Sequence, residues 1–470
     1  MIHVLVWLGI FYWGTWTLGA EPSLSSSPLR IGSQRELFVD ESLIASQQGT
    51  ALLPHLPQAR EVVLTCDAPW EGNISAYYTF LVDDGLFRVY YRGAHFENKK
   101  PQHEVTCYAE SRDGLNWVKP KLGLFEFQGS KENNIIWMDS DKSYITHNFT
   151  PFKDTNPACT PDARYKALAG EKHSGGLRAL KSADGIHWSL MREAPVITDG
   201  YFDSQNLAFW DTNHNCYVSY YRDFRQPQKL RDIKRASSPD FLKWSTGKYL
   251  SYNDVPEEQL YTNAIQQYFR APQLYIGFPT RFQPKTQQVE PILMTSRDGA
   301  HFHRWREPLI PITAPQDRDG NRSNYMAHGL IQIPGQDREI SVFGTEAYYA
   351  GPGSRVRRFT LRTDGFVSVH ADETPGEMVT RPIQFTGDTL QVNYAALNGG
   401  RLQVEIQDAE GKPFPGFSLA DCRPLTGDAI DQSVQWANEA GVSALAGKTV
   451  QLRFLLKQAD LYSMRFAPTK

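Results

Sequence analysis

The sequence is poor in cysteine, carries no cluster of positive charge, and has only one long apolar run. Its five cysteines (Cys66, Cys107, Cys159, Cys216 and Cys422) are scattered, with no C-x-x-C pair and no metal-type Cys/His spacing. An odd number leaves at least one thiol unpaired, and buried free thiols packing as small hydrophobes are the expectation. The 49 basic and 52 acidic residues give a net charge of −3 and form no basic stretch. That excludes the phosphate-neutralising face a nucleic-acid binder needs. There is no G-x-S-x-G nucleophile elbow, no H-E-x-x-H and no Gly-rich phosphate loop. DRDGN, from Asp317 to Asn321, opens like a calcium loop but lacks the glutamate at the twelfth position. No metal and no cofactor is expected.

The one long apolar run is the first twenty residues, which contain no acid, no Lys and no Arg and end in Gly19-Ala20. This reads as a cleaved export signal over 1–20, with an uncleaved anchor as the alternative, and predicts a secreted or periplasmic protein without stable membrane insertion. No later stretch is long and apolar enough to span a bilayer as a helix.

What is abundant is aromatic and turn-forming residues: 12% Phe, Trp and Tyr, with 35 Gly and 29 Pro. Many short strands and many turns follow from that composition. At 470 residues the chain should form more than one domain.

One short phrase returns five times: ESRDGLNW from Glu110, KSADGIHW from Lys181, SSPDFLKW from Ser237, TSRDGAHF from Thr295 and RTDGFVSV from Arg362. Ser111, Ser182, Ser238, Ser296 and Thr363 mark the copies at separations of 71, 56, 58 and 67 residues. Such spacing suits four-stranded blades with long loops. The Asp-Gly pair suits a tight hairpin, and the aromatic three positions after it should pack between blades. A strand phrase precedes each copy: FRVYYRG, YKALAGE, CYVSYYRD, LYIGFPTR and EISVFGTE. Before each of these a turn and another strand candidate complete the unit. The predicted fold is all-β: a five-bladed β-propeller over residues 30–375, then an accessory β-sandwich over 376–470 with alternating strands such as TLQVNYA and TVQLRFLL.

In such a blade the start of the innermost strand and the end of the second open on one face, where a site should form. Acids predicted there are Glu71, Glu171, Asp203, Asp223 and Glu346. Convergent carboxylates are what glycoside hydrolysis requires. Asp203, within GYFDSQN, is read as base or nucleophile, Asp223, beside Arg222 and Arg225, as stabiliser, and Glu346 as acid. Glu71, Arg92, His147, Asn148, Gln205, Asn206, Arg222, Asn263, Arg281, Asn324 and Tyr349 complete a polar funnel suited to sugar hydroxyls. Asp154 and Asn156 fall on the opposite face and read as turn residues.

Through PWEG, HNFTPFKDTNPA, FDSQN, YYRDFR, YTNAI, GFPTRF, GNRSNY and PGFSLADC, the chain resembles a family of exported bacterial proteins described as similar to glycoside hydrolase family 32, with the fold of families 32, 43 and 68. The resemblance implies a five-bladed propeller, an accessory sandwich and glycosidase activity without naming the sugar. Asp223 as transition-state stabiliser follows from it, since Arg222-Asp223-Phe224 approximates the family 32 Arg-Asp-Pro motif. Neither the Asn-Asp-Pro nor the Glu-Cys motif is present. A carbohydrate is therefore the expected partner. The competing expectations are a non-catalytic glycan-binding propeller and a polysaccharide lyase using His147 and Tyr349 as base and acid.

Overall fold

The repeated phrase ends in a turn built by its own side chains. In the computed structural model, which describes residues 27–98, 100–140, 143–253, 255–311, 324–349, 353–437 and 441–468, Ser111 Oγ accepts the Gly114 amide at 2.9 Å. Asp113 Oδ1 accepts the amides of Leu115 and Asn116 at 2.8 and 2.7 Å. The Asn116 amide foremost among these donors holds the Asp113 carboxyl well below the usual carboxylate range. Gly114 sits at φ +75°, where a side chain would be strained. Ser182/Asp184 and Ser296/Asp298 repeat both interactions, and Asp240 repeats the carboxylate part. The indoles of Trp117, Trp188 and Trp244 donate back to the carbonyls of Gly114, Gly185 and Phe241 at 3.3, 3.0 and 2.9 Å. Trp188 thereby meets Tyr90 of the preceding sheet edge-on at 6.3 Å, while Trp117 meets Phe80 of its own sheet at 5.2 Å.

These turns join the outer strands of successive antiparallel sheets. Ala76–Asp83, Leu86–Glu97, Lys100–Ser111 and Ile135–Trp137 form the first, with Trp117–Val118, across the turn, also paired to Lys100–Ser111. Thr150–Lys153, Tyr165–Ala169, Arg178–Ser182 and Ser189–Leu190 form the second, and Leu207–Asp211, Cys216–Arg225, Leu230–Ser238 and Lys248–Tyr249 the third. Gln266–Tyr268, Ala271–Gly277, Gln288–Ser296 and His301–Pro308 make the fourth, with Ser251–Tyr252 parallel on its edge. Glu339–Glu346 and Ser354–Arg362 make a fifth whose outer strand, Gln58–Cys66, comes from before the first sheet. Separate apolar clusters lie between first and second, second and third, third and fourth, and fourth and fifth sheets. Another, with Phe80 stacked on Phe343 at 3.8 Å, joins fifth to first.

The C-terminal part is two further sheets on one apolar core that includes Val392, Phe454, Leu461 and Trp436. One runs Gly427–Ser433, Thr389–Ala396, Ala459–Ala467, Val367–Ala371 and Ala51–Pro54; the other runs Ile44–Gln48, Gly376–Thr380, Gln451–Lys457 and Arg401–Gln407. The expected division at 375/376 is therefore corrected at both ends. Residues 29–54 and Val367–Ala371 belong with the C-terminal sheets, because Gln58–Cys66 on the fifth sheet brings the preceding chain beside the segment that follows it. Strand edges left open there find partners. All five cysteines are free; Cys66, Cys107 and Cys422 are buried, while Cys159 and Cys216 are partly exposed. Residues 1–20 and the DRDGN segment lie outside the described residues.

The fifth copy of the phrase departs from the other four. Asp364, in the left-handed region at φ +61°, is fully buried and takes Arg35 at 3.2 Å, Arg270 at 2.9 Å, the Tyr268 hydroxyl at 2.7 Å and Ser463 at 2.8 Å. It ties the fourth sheet to the C-terminal sheets. Burial opposes its charge, but Arg35 and Arg270 prevail and hold its pKa below the usual value.

Replacing Asp364 by Ala should cost about 3–5 kcal/mol, because Arg35 and Arg270 lose their buried anion and keep only the partly exposed Asp431, at 2.6 and 3.4 Å. The native carboxyl titrates below its unfolded value of roughly 4, so its contribution is complete above that value and drains as pH falls through the lower native one. Thermal melts of wild type and Asp364→Ala from pH 7 downward should converge below pH ~4; curves already coincident at pH 7 would remove this node from the account.

Candidate active site

The starts of the inner strands and the loops at the same ends surround a central cavity of about 420 Å³. Backbone there has left the sheet hydrogen-bond ladder and needs other partners. The asparagines supply them. Asn148 Nδ2 donates to the carbonyls of Gly170 and Phe202 at 3.0 and 2.6 Å, while its Oδ1 accepts the Gly170 amide. Asn206 ties Phe202, Ser204 and the Arg222 amide, and Asn263 ties Gln205, Tyr220 and Ile265. Asn324 reaches the Val289 carbonyl at 3.4 Å. None of these four lines the cavity, so the expected asparagine funnel is a brace rather than a sugar-binding ring. Gln205 does line it, but its amide spans from the third sheet to Tyr78 O and Thr79 Oγ1 of the first at 2.9 and 3.0 Å.

His147 is the hub of the cavity wall. Its Nε2 lies 3.2 Å from Asp203 Oδ1 and 3.1 Å from Glu171 Oε1, and its Nδ1 lies 3.1 Å from Glu104 Oε1. Acceptors at both ring nitrogens suit an imidazolium, which donates twice. Burial disfavours that charge, yet the bonds to Asp203 and Glu104 outweigh it and lift the His147 pKa to about 9. The neighbouring Asp203 also accepts the hydroxyls of Tyr77 and Tyr261 at 3.3 and 3.2 Å, with Arg222 at 3.9 Å. Partial burial raises its pKa, but His147 and Arg222 prevail and hold it well below the usual range. Its side chain is 49% exposed, so the carboxylate is open to a ligand.

Arg92 is buried beside His147, its Nη1 3.4 Å from His147 Nδ1. It donates to Tyr348 Oη at 2.9 Å and Ile74 O at 3.0 Å, lies over Tyr77 at 4.8 Å and stands 3.9 Å from Glu104. Tyr349, at φ +64°, stacks edge-on against Tyr348 at 4.6 Å and is 41% exposed at the rim. Arg231, Tyr325 and Phe282 complete the aromatic and cationic lining.

Several expected site residues lie elsewhere. Asp223 binds Lys234 at 2.7 Å and the Tyr249 hydroxyl at 2.9 Å on the outer side of the third sheet. Successive strand residues face opposite ways, so placing Arg222 toward Asp203 turns Asp223 away. Arg225 pairs with Asp232 instead. Glu346 is buried between Arg355 at 3.0 Å and Arg357 at 2.6 Å, while its neighbour Thr345 faces the cavity. Glu71 is enclosed with Lys119 at 2.7 Å and the Tyr91 hydroxyl. Arg281 serves Glu258 and Glu290 at 3.3 and 3.6 Å. Asp154, a turn residue as expected, holds Lys166 and the Tyr217 hydroxyl. Conversely, Glu104 and Arg231, which lie in the first halves of third strands, were missed in the sequence reading. Antiparallel pairing sets them opposite the second-strand ends, Ala94↔Glu104 and Phe224↔Arg231, where acids and arginines were sought.

No protein-family model and no curated protein matches this sequence. Among solved structures the chain is similar to one titled "Glycoside hydrolase", at 13% identity and TM-score 0.46 over 70% of this chain and 96% of that one. It is also similar to a glycoside hydrolase family 43 arabinoxylan arabinofuranohydrolase from Bacillus subtilis, at 12% identity and TM-score 0.44 over 85% of this chain and 96% of that one. An N-acetylgalactosamine deacetylase from F. plautii matches at 12% identity and TM-score 0.47, over 68% and 97%. The activities in those titles belong to those proteins.

Chemically, the wall offers an ionised and accessible carboxylate, two further carboxylates and a proton held between them. One ligand atom each from His147, Glu171 and Asp203 lies within 4.8 Å of the others, a nitrogen and two oxygens that suit a divalent cation equally well. The two occupants differ in a measurable way. With a proton in place, the His147 ring should titrate near pH 9 by nitrogen-detected NMR and remain doubly protonated at pH 7.5. Its share of stability should then be complete below about 6.5 and fade as pH rises through the folded value. A His147 that titrates at or below 6.5, or not at all, would mean that the carboxylates do not share its proton.

Proposed function

We propose that this protein is an exported glycoside hydrolase, in which five sheets form the blades of a propeller and the two C-terminal sheets an accessory sandwich. The observation that carries the reading is the convergence of Asp203 and Glu171 on one wall of the central cavity, with carboxylate oxygens within 4.8 Å. Glycosidic cleavage needs one carboxylate on the anomeric carbon and one proton donor at the leaving oxygen. Asp203, ionised and half exposed, is the nucleophile. Glu171, 3.1 Å from the protonated His147, takes the place of Glu346 by passing the His147 proton to the leaving oxygen, and Glu104 and Arg92 position His147 and the sugar. Aromatic rims such as Tyr348 and Tyr349 suit stacking on a pyranose face.

The spacing supports a retaining course, since inverting enzymes hold their carboxyl groups about 6.5–9.5 Å apart to admit water. The lyase reading loses support, because a His147 protonated to about pH 9 is not available as a base at neutral pH. An export signal over 1–20 agrees with a carbohydrate substrate outside the cytoplasm, and no helix among the described residues is long and apolar enough to cross a membrane. A glycan-binding propeller without turnover remains the outcome to exclude.

The test is digestion of a broad oligosaccharide library by the full chain. Wild type should release a product of retained anomeric configuration by NMR, and Asp203→Asn and Glu171→Gln should each slow release on the order of 10²–10⁴-fold. Asp223→Asn, outside the cavity, should keep wild-type turnover. Binding without turnover across the library, or full activity in both cavity variants, would overturn the assignment.

A further inference from the structure

The cavity's charges do not close among themselves. Arg92 has Glu104 at 3.9 Å and Arg222 has Asp203 at 3.9 Å. Arg231 forms no ion pair with any carboxylate among the described residues. Among the described residues its one polar contact is from Nη1 to Gln259 Oε1 at 2.6 Å, and its Nε is buried without a partner there. Its guanidinium stands instead on aromatic rings, 4.4 Å from the centre of Phe282 and 5.5 Å from that of Tyr261. Arg222 lies over the same Tyr261 ring at 5.1 Å. Two like charges thus share one ring at the cavity wall, with a single carboxylate 3.9 Å from one of them.

Such an arrangement is costly without an anion. Burial, with Arg222 adding to it, pushes the Arg231 pKa down, which reports the same frustration. Aromatic faces stabilise a cation from above and below but leave its in-plane donors free. Those donors have the fork geometry that matches a carboxylate or a sulfate. Every carboxylate on the wall is already engaged: Glu104, Glu171 and Asp203 by His147, and Asp203 also by Arg222. Among the described residues no carboxylate is left for Arg231, so its in-plane donors are available to an anion on the ligand.

We infer that the substrate is an anionic glycan, whose carboxylate or sulfate group is bound by Arg231 beside Arg222 while the adjoining sugar meets Asp203. This rests on the glycan reading above and narrows its substrate class. Tyr261 sets the geometry, since its hydroxyl reaches Asp203 at 3.2 Å and its ring carries both arginines. The charged group and the reacting carbon therefore lie on one residue or on adjacent ones.

The experiment is ligand-induced thermal stabilisation and calorimetric titration of the full chain with trigalacturonate, a carrageenan tetrasaccharide and xylotriose, at low and high salt. An anionic ligand should bind, salt should weaken it, and Arg231→Gln should reduce its affinity about 10- to 100-fold, the worth of charged hydrogen bonds. Arg231→Lys should restore part of the loss, and whichever anion binds names the carboxylate or the sulfate class. If Arg231 serves only to pack Phe282 and Tyr261, Arg231→Gln will lower the melting temperature without changing the preference for charged over neutral ligand, and the inference fails. Binding of xylotriose alone would leave the glycan reading standing and overturn the anionic one; no response to any of the three would count against both.

Discussion

Closure of the ring of sheets is the constraint from which the rest of the architecture follows. Gln58–Cys66 pairs with Ser354–Arg362, from Ser354↔Cys66 to Thr360↔Gln58, so the last sheet is completed by chain that precedes the first. Charges reinforce the seam: Arg358 meets Glu61 at 2.7 Å, and Arg357 donates to the Arg60 carbonyl while holding Glu346. Glu346, an acid by sequence position, is a rivet of this seam. Closure also brings Tyr348, from the end of the fifth sheet, onto Arg92 of the first, and so completes the cavity wall. By the same token it leaves residues 29–54 beside the C-terminal segment, where they become strands of both C-terminal sheets.

Inside the closed ring, the polar groups divide by role. Neutral amides are spent on backbone that the converging inner strands leave unpaired, and this is why Asn148, Asn206 and Asn263 recur at equivalent places without facing the cavity. The charged groups that face the cavity are Arg92, Glu104, His147, Glu171, Asp203 and Arg231, set among tyrosines and smaller neutral side chains. Carboxylates from neighbouring sheets, which would repel one another in a confined space, are reconciled by a single imidazole. Because Asp203 is half exposed, this grouping is screened and contributes little to folding. Its consequence is chemical: charge and proton stand in fixed positions before a ligand arrives.

Much of the all-β fold was legible because turn chemistry is local. Ser-x-Asp-Gly, complete in three of the five related phrases, specifies its own hydrogen bonds within six residues, so the phrases point to repeated units, and the aromatic that follows the first four reads as packing. The N-terminal strands were illegible for the opposite reason. Ala51–Pro54 pairs with Val367–Ala371 across more than three hundred positions, and nothing in ALLP names its partner. At the site, the rule that strand ends gather on one face led to Asp203, Glu171, Arg92 and His147, all on the cavity lining. The same rule failed for Asp223 and Glu346 because it located the backbone and ignored the alternation of side chains. Arg222 and Thr345, one residue earlier in each case, take the inward positions.

That alternation bears on whether the cavity binds or reacts. A pocket selected only to hold sugar hydroxyls is well served by amides and hydroxyls, which bind in both directions and cost less to desolvate than charges. Here the amides nearest the axis are occupied by backbone, and the groups left to meet a ligand are an ionised carboxylate, a protonated imidazole and arginines. Burying that many charges is favourable only when most are paired within the protein. The pairings found, Arg92 with Glu104 and His147 with three carboxylates, leave Asp203 accessible on one side and, among the described residues, Arg231 without an ion pair on the other. A ligand that satisfies the second is thereby drawn toward the first, which is the ordering of binding and reaction that a hydrolase of charged glycans requires.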